Sequence, residues 1–202
     1  VTTVVMGNCG VGFAPVHEHN RERLIQLMEG VEDIPGTALH EGLSWNWSSF
    51  PEYLDELERR PRDIDLGTQL PHGALRLHVM GERGATQEPA TPDDIAEMAR
   101  LAGEAVEAGA LGFSTSRTLN HRTSLGEPTP TLRAEADELV GIASALGEAK
   151  KGVLQAVTDF IDRDAELDLF ERMASESGRP ISVSIAQGAK TGDDWRVELA
   201  RF

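Results

Sequence analysis

This chain is poor in sulfur, aromatic rings and positive charge. Among its 202 residues there is one cysteine, Cys9, and one tyrosine, and aromatic side chains make up 5% of the sequence. A single cysteine excludes an internal disulfide framework and suits a reducing compartment, so a cytoplasmic location is expected. Lysine and arginine number 19 against 34 aspartates and glutamates, a formal charge of −15. That sign argues against nucleic acid or an anionic membrane as a partner. Much of the acid falls in helix-like stretches, 52–58 and 135–148, and reads there as a solvated face. No apolar run reaches the roughly 18 residues of a membrane span, and no secretory signal pattern opens the chain. Val1 begins inside a strand-like run without an initiator methionine, so an intact N-terminus is not expected.

What is present is an alternation of strand-like and helix-like segments. Strands are expected over 1–6, 64–70, 110–115, 152–157 and 181–185. Between them lie helical patterns at 22–28, 50–57, 91–108, 132–146 and 164–174. The clearest has Thr91 as cap, Pro92 at the first helical position and two acids at the positive end of the dipole, and Gly109 stops it.

Repeated βα units imply a parallel sheet of the α/β class. An open doubly wound nucleotide fold is disfavoured, because Gly7, Gly10 and Gly12 do not match the spacing of a phosphate-cradling loop. A (β/α)8 barrel fits better: Cys9, His72, Ser114, Arg117, Thr158, Asp159 and Gln187 all fall at or just beyond expected strand C-termini, the face on which barrels build their sites. Five strands make part of such a barrel.

Gly7-Asn8-Cys9-Gly10 carries the most information. A β-branched apolar run that stops in a glycine-lined turn reads as a buried strand whose last side chain emerges at its end. A thiol there can be a nucleophile, a metal ligand or a packed core residue.

Four blocks of the chain resemble the N-acyl-D-amino-acid deacylases, or D-aminoacylases, of the amidohydrolase superfamily. They are the stretch from Val1 to Pro15, Ser49 to Leu54, Pro71 to Arg76 with Val79-Met80-Gly81, and Gly109 to Thr115. The resemblance implies a metal-dependent (β/α)8 barrel, of which residues 1–202 are an internal portion, about strands two to six, lacking the first strand and the last two. It also implies hydrolysis of a linear amide, releasing a D-amino acid and a carboxylate from a small N-acyl amino acid. Cys9 then matches the family's zinc ligand after strand two. The resemblance further implies histidine ligands near 158–159 and 184–187, where the sequence has none, so this branch uses fewer metals, or other ligands such as Asp159, or has lost the usual centre. As given, the chain cannot assemble the family's full metal site.

Three further residues are candidates for binding substrate. His72 follows a strand and precedes a glycine. Arg117 and His121 sit in a long polar loop after the strand expected over 110–115 that ends in Gly126-Glu127-Pro128-Thr129-Pro130, and a guanidinium can clamp a substrate carboxylate with two parallel hydrogen bonds. His17-Glu18-His19 lies in a polar loop and is read as solvated, with His40 and His78. Trp45 and Trp47 are read as packing a loop onto the core. The alternatives are a cyclic-amide hydrolase of the hydantoinase or dihydroorotase kind, and a non-catalytic binding module. Unpaired sheet edges make self-association an expected property of the isolated chain.

Overall fold

In the computed structural model, which describes residues 1–185 and 192–200, every pairing between strands is parallel. β1 (Thr3–Met6) pairs with β2 (Asp65–Thr68). A second sheet runs in the order β3 (Leu70–Pro71), β4 (Gly112–Arg117), β5 (Val153–Thr158) and β6 (Ile181–Ser184). The run expected as one strand over 64–70 is thus two short strands interrupted at Gln69. The bond from Gln69 N–H to Met6 O, at 2.9 Å, and that from Leu111 N–H to Thr68 O, at 2.8 Å, carry the ladders past the interruption. The architecture is mixed α/β with parallel sheets, and no closure into a barrel is seen among the described residues.

Nine α-helices lie among the described residues: α1 (Arg21–Glu32), α2 (Gly36–Gly42), α3 (Phe50–Arg59), α4 (His72–Met80), α5 (Glu82–Ala85), α6 (Pro92–Ala108), α7 (Ala136–Ala149), α8 (Arg163–Ser177) and α9 (Asp194–Leu199). Capping boxes start two of them. Ser49 and Glu52 exchange bonds at the head of α3, and Thr91 and Asp94 do so at α6, each cap contributing about 1 kcal/mol. Gly109 then takes a φ of 125° and ends α6, as its position in the sequence predicts.

One face of the second sheet is apolar and covered by helices. Leu70, Phe113, Leu154 and Ala156 pack there with Met98, Leu139, Ile142 and Phe170, all fully buried. Burying each of the larger side chains contributes about 1.5–3 kcal/mol. The opposite face is mostly polar, with Val157 among serines and Gln155. Ser114 aligns with Gln155 and Gln155 with Ser182, while Ser116 aligns with Val157 and Val157 with Ser184. Strands of a parallel sheet are normally apolar on both faces, so this polar row marks a surface kept for something other than packing. It faces the turn that carries Cys9.

Candidate functional site

Cys9 sits in a tight turn, Asn8–Gly10, at the C-terminal end of β1. Gly7, Cys9 and Gly10 take φ of 82°, 58° and 72°, the left-handed region that a cysteine rarely occupies. Side chains from the polar row hold it there. The Cys9 N–H donates to Gln155 Oε1 at 2.8 Å and the Gly10 N–H to Ser114 Oγ at 3.0 Å, while the Ser114 hydroxyl donates to Gly7 O. Gln69 Nε2 donates to Asn8 Oδ1 at 3.1 Å. A Cβ at Gly10 would lie 3.0 Å from both Ser116 N and Thr115 Cα, so only glycine lets the turn lean this closely on β4. The Cys9 thiol is half-buried, and its pKa is pushed up, first by burial and then by the nearby Glu32 carboxylate.

The other candidates divide between the two faces of the sheet. His121 lies on the same side as Cys9, with Nδ1 at 2.9 Å from the Ser116 hydroxyl. Its loop is pinned to α1, since Ser124 N–H donates to Gln26 O at 2.8 Å and Gly30 leaves room for the Arg122 backbone. Burial lowers the His121 pKa, and the Glu32 and Asp159 carboxylates oppose that shift. Glu32 therefore acts on both Cys9 and His121. Asp159 receives the Thr118 hydroxyl on one oxygen and the Leu119 N–H, at 2.7 Å, on the other. Arg117 points to the helical side, where Nε and Nη2 grip both oxygens of Glu166 at 2.8 and 2.6 Å and Nη1 donates to Ala134 O. Its bidentate clamp is engaged within the protein.

His72 also lies on the helical side and is fully buried. Its Nδ1 is 2.8 Å from Thr115 Oγ1 and its Nε2 is 2.8 Å from Glu138 Oε1, with Arg76 Nε 3.0 Å from that same carboxylate oxygen. Burial pushes the His72 pKa below its ordinary value, and the Glu138 carboxylate opposes that shift. A carboxylate accepts only, hence Nε2–H donates to Glu138, while Nδ1 pairs with the Thr115 hydroxyl. The order hydroxyl, imidazole, carboxylate is that of a nucleophile triad, but Thr115 has no exposed surface. Here it is a lock between β4, α4 and α7.

The chain matches the amidohydrolase family over residues 1–201. The chain belongs to that family. Among curated proteins it is similar to the D-aminoacylase of Alcaligenes xylosoxydans xylosoxydans, at 32% identity over 72% of this chain and 25% of that protein. It is also similar to the N-acyl-D-glutamate deacylase of the same organism, at 30% over 73% of this chain and 26% of that one. The N-acyl-D-aspartate deacylase of that organism shares 27% over 72% of this chain and 25% of its own length. The chain spans about a quarter of the length of these relatives. No solved structure matches it. These relationships place the chain with the D-aminoacylases within the amidohydrolases.

Amidohydrolases typically use metal ions, and the residues here can be tested for one. Among the described residues no three of histidine, cysteine, aspartate and glutamate gather around a point that could hold a cation. Cys9 stands alone on its turn, and both Asp159 oxygens already accept protein hydrogen bonds. The described residues do not fit a metal centre by themselves. Gln187 lies outside the described residues, as does position 186 of the 184–187 segment in which the resemblance implies a ligand.

His17 and His78, read from sequence as solvated, stack at 3.9 Å with 11° between their rings, and His19 stacks on His17 at 5.6 Å. Parallel rings direct their nitrogen lone pairs side by side, so the stack is not a chelate. Trp47 packs as expected: it is buried and its indole N–H donates to Phe13 O at 2.8 Å. Sequence reading places Ser114 at a strand end, as found, but misses Gln155 and Glu32. Alternation in Phe113-Ser114-Thr115-Ser116, apolar or engaged on one face and hydroxyl on the other, is the signal that marks Ser114.

Proposed function

We propose that the chain is the part of a metal-dependent hydrolase of linear amides that carries Cys9, an internal portion of a (β/α)8 barrel acting on N-acyl-D-amino acids in the cytoplasm. The observation that carries this reading is the Cys9 turn, held in a left-handed conformation by Gln155 and Ser114 on the polar face of a parallel sheet. Such strain, of order 1–3 kcal/mol, persists where surrounding contacts over-determine it, and it clusters at functional sites. Zinc is the proposed metal, with Cys9 supplying one thiolate ligand and the rest of the set coming from beyond the described residues. The proposed substrate-facing group is His121, whose ring hydrogen-bonds only to Ser116 among the described residues. Arg117, Asp159 and His72 are proposed to shape the site through Glu166, Thr118 and Glu138.

The test is turnover by the purified full-length protein, with zinc supplied, of N-acetyl-D-amino acids, their L-enantiomers, and a hydantoin. Release of D-amino acids alone supports the reading. Hydrolysis confined to the cyclic amide, or none of any substrate by zinc-loaded protein, overturns it.

A further inference from the structure

Beside the Cys9 turn a cavity of about 340 Å3 opens between the end of β1, α1 and α3. That is within the size of ordinary small-molecule pockets, roughly 300–1,000 Å3. Gly7 and Asn8, immediately before Cys9, form part of its wall, so it adjoins the candidate site. Val11, Phe13, Met28, Ile34 and Tyr53 supply a mostly apolar lining. Ile34 is 40% exposed at its rim, a large apolar side chain left facing solvent.

Among the described residues only one charged side chain lines this cavity, Glu32. Its carboxylate is exposed and makes no hydrogen bond or ion pair with any described residue. Its field reaches Cys9 and His121, opposing loss of their protons. Among the described residues no arginine, lysine or histidine shares the wall to balance it. An apolar cleft with a single uncompensated carboxylate favours an apolar group that ends in a cation, and disfavours an anion by like-charge repulsion.

We infer that this pocket binds an alkyl or aryl group bearing a terminal ammonium or guanidinium, with Glu32 as its counter-charge. The inference deepens the amide-hydrolase reading and rests on it for the identity of the whole substrate: an N-acyl amino acid with a basic side chain. The charge preference itself follows from the pocket alone.

The test is calorimetric titration of the full-length protein with hexylammonium chloride, 1-hexanol and sodium hexanoate at low salt. None of these needs to be hydrolysed, so the outcome is independent of whether the amide-hydrolase reading stands. Hexylammonium is expected to bind about three- to fivefold more tightly than hexanol, the scale of a partly exposed ion pair, and hexanoate most weakly. Raising salt to about 0.5 M shrinks that preference, because the Debye length falls to a few ångström. Glu32→Gln is expected to make hexylammonium and hexanol equal. The inference is overturned if hexanol or hexanoate binds wild type as well as the ammonium does, if none saturates, or if the preference survives in Glu32→Gln.

Discussion

His72 Nε2 meets Glu138 Oε1 at 2.8 Å, and both side chains are sealed from solvent. Arg76, equally buried, balances the carboxylate and donates to Pro130 O at 2.7 Å and to Glu88 O. Removing the carboxylate leaves a guanidinium in the core without its counter-charge. Glu138→Ala is therefore expected to lower stability by about 3–5 kcal/mol, the cost of breaking a buried pair from one side. Urea unfolding checks this, and a loss below 1 kcal/mol would contradict the network.

Gly10 lies against the β4 backbone with no room for a side chain. Gly10→Ala must both hold a φ of 72° and displace Thr115 or Ser116, so a loss of about 1–3 kcal/mol is expected, with faster alkylation of Cys9 as the turn opens. An alanine variant with wild-type stability and unchanged Cys9 labelling would show that the turn is not packed as described.

Much of this architecture is readable from the residues, and the exceptions have physical reasons. The Cys9 turn announces itself because a β-branched run stops in glycines. Likewise α3 and α6 announce themselves through caps, proline and periodicity. By contrast α4 carries no such mark, because almost every residue from His72 to Met80 is buried and no amphipathic stripe betrays a helix. The acid of 135–148, read as a solvated face, includes Glu138, which is 1% exposed. Its partners His72 and Arg76 are more than 60 residues away in sequence, out of reach of any local pattern. Arg117 reads as a free clamp for the same reason: Glu166, which occupies it, comes from a helix that follows β5.

Acid is expected to weaken the fold through its histidines. Burial first, and then the neighbouring His17, lower the His78 pKa to about 4, from an ordinary 6.5. The Glu97 carboxylate opposes this shift and the Arg100 guanidinium adds to it. A depressed folded-state pKa means the unfolded chain takes the proton more readily, so stability is full above about 6.5 and declines as pH falls toward 4. His72 and His121, also lowered by burial, act in the same direction. His78→Phe keeps an aromatic ring against His17 while removing the titration, and is expected to flatten the melting temperature between those two pH values. An identical pH profile in the variant would contradict this.

Among the described residues β1 pairs only with β2 and β6 only with β5, so each presents one unpaired edge. Ser182 and Ser184 of β6 are exposed as well. Sedimentation velocity of the 202-residue chain is expected to show concentration-dependent self-association. Val183→Pro, which cannot donate to an added strand, should reduce it. A single monomer boundary at all concentrations would contradict edge pairing.

The most direct measurement of the central claim is amide turnover by full-length Cys9→Ala beside wild type, with matched zinc and matched melting temperatures. If Cys9 supplies a metal ligand at the site, kcat/KM for the best N-acetyl-D-amino acid falls by at least on the order of 100-fold, the upper end of what losing a group that merely supports a ligand costs. Bound zinc falls with it. Wild-type turnover and unchanged zinc in a folded Cys9→Ala protein would contradict the account.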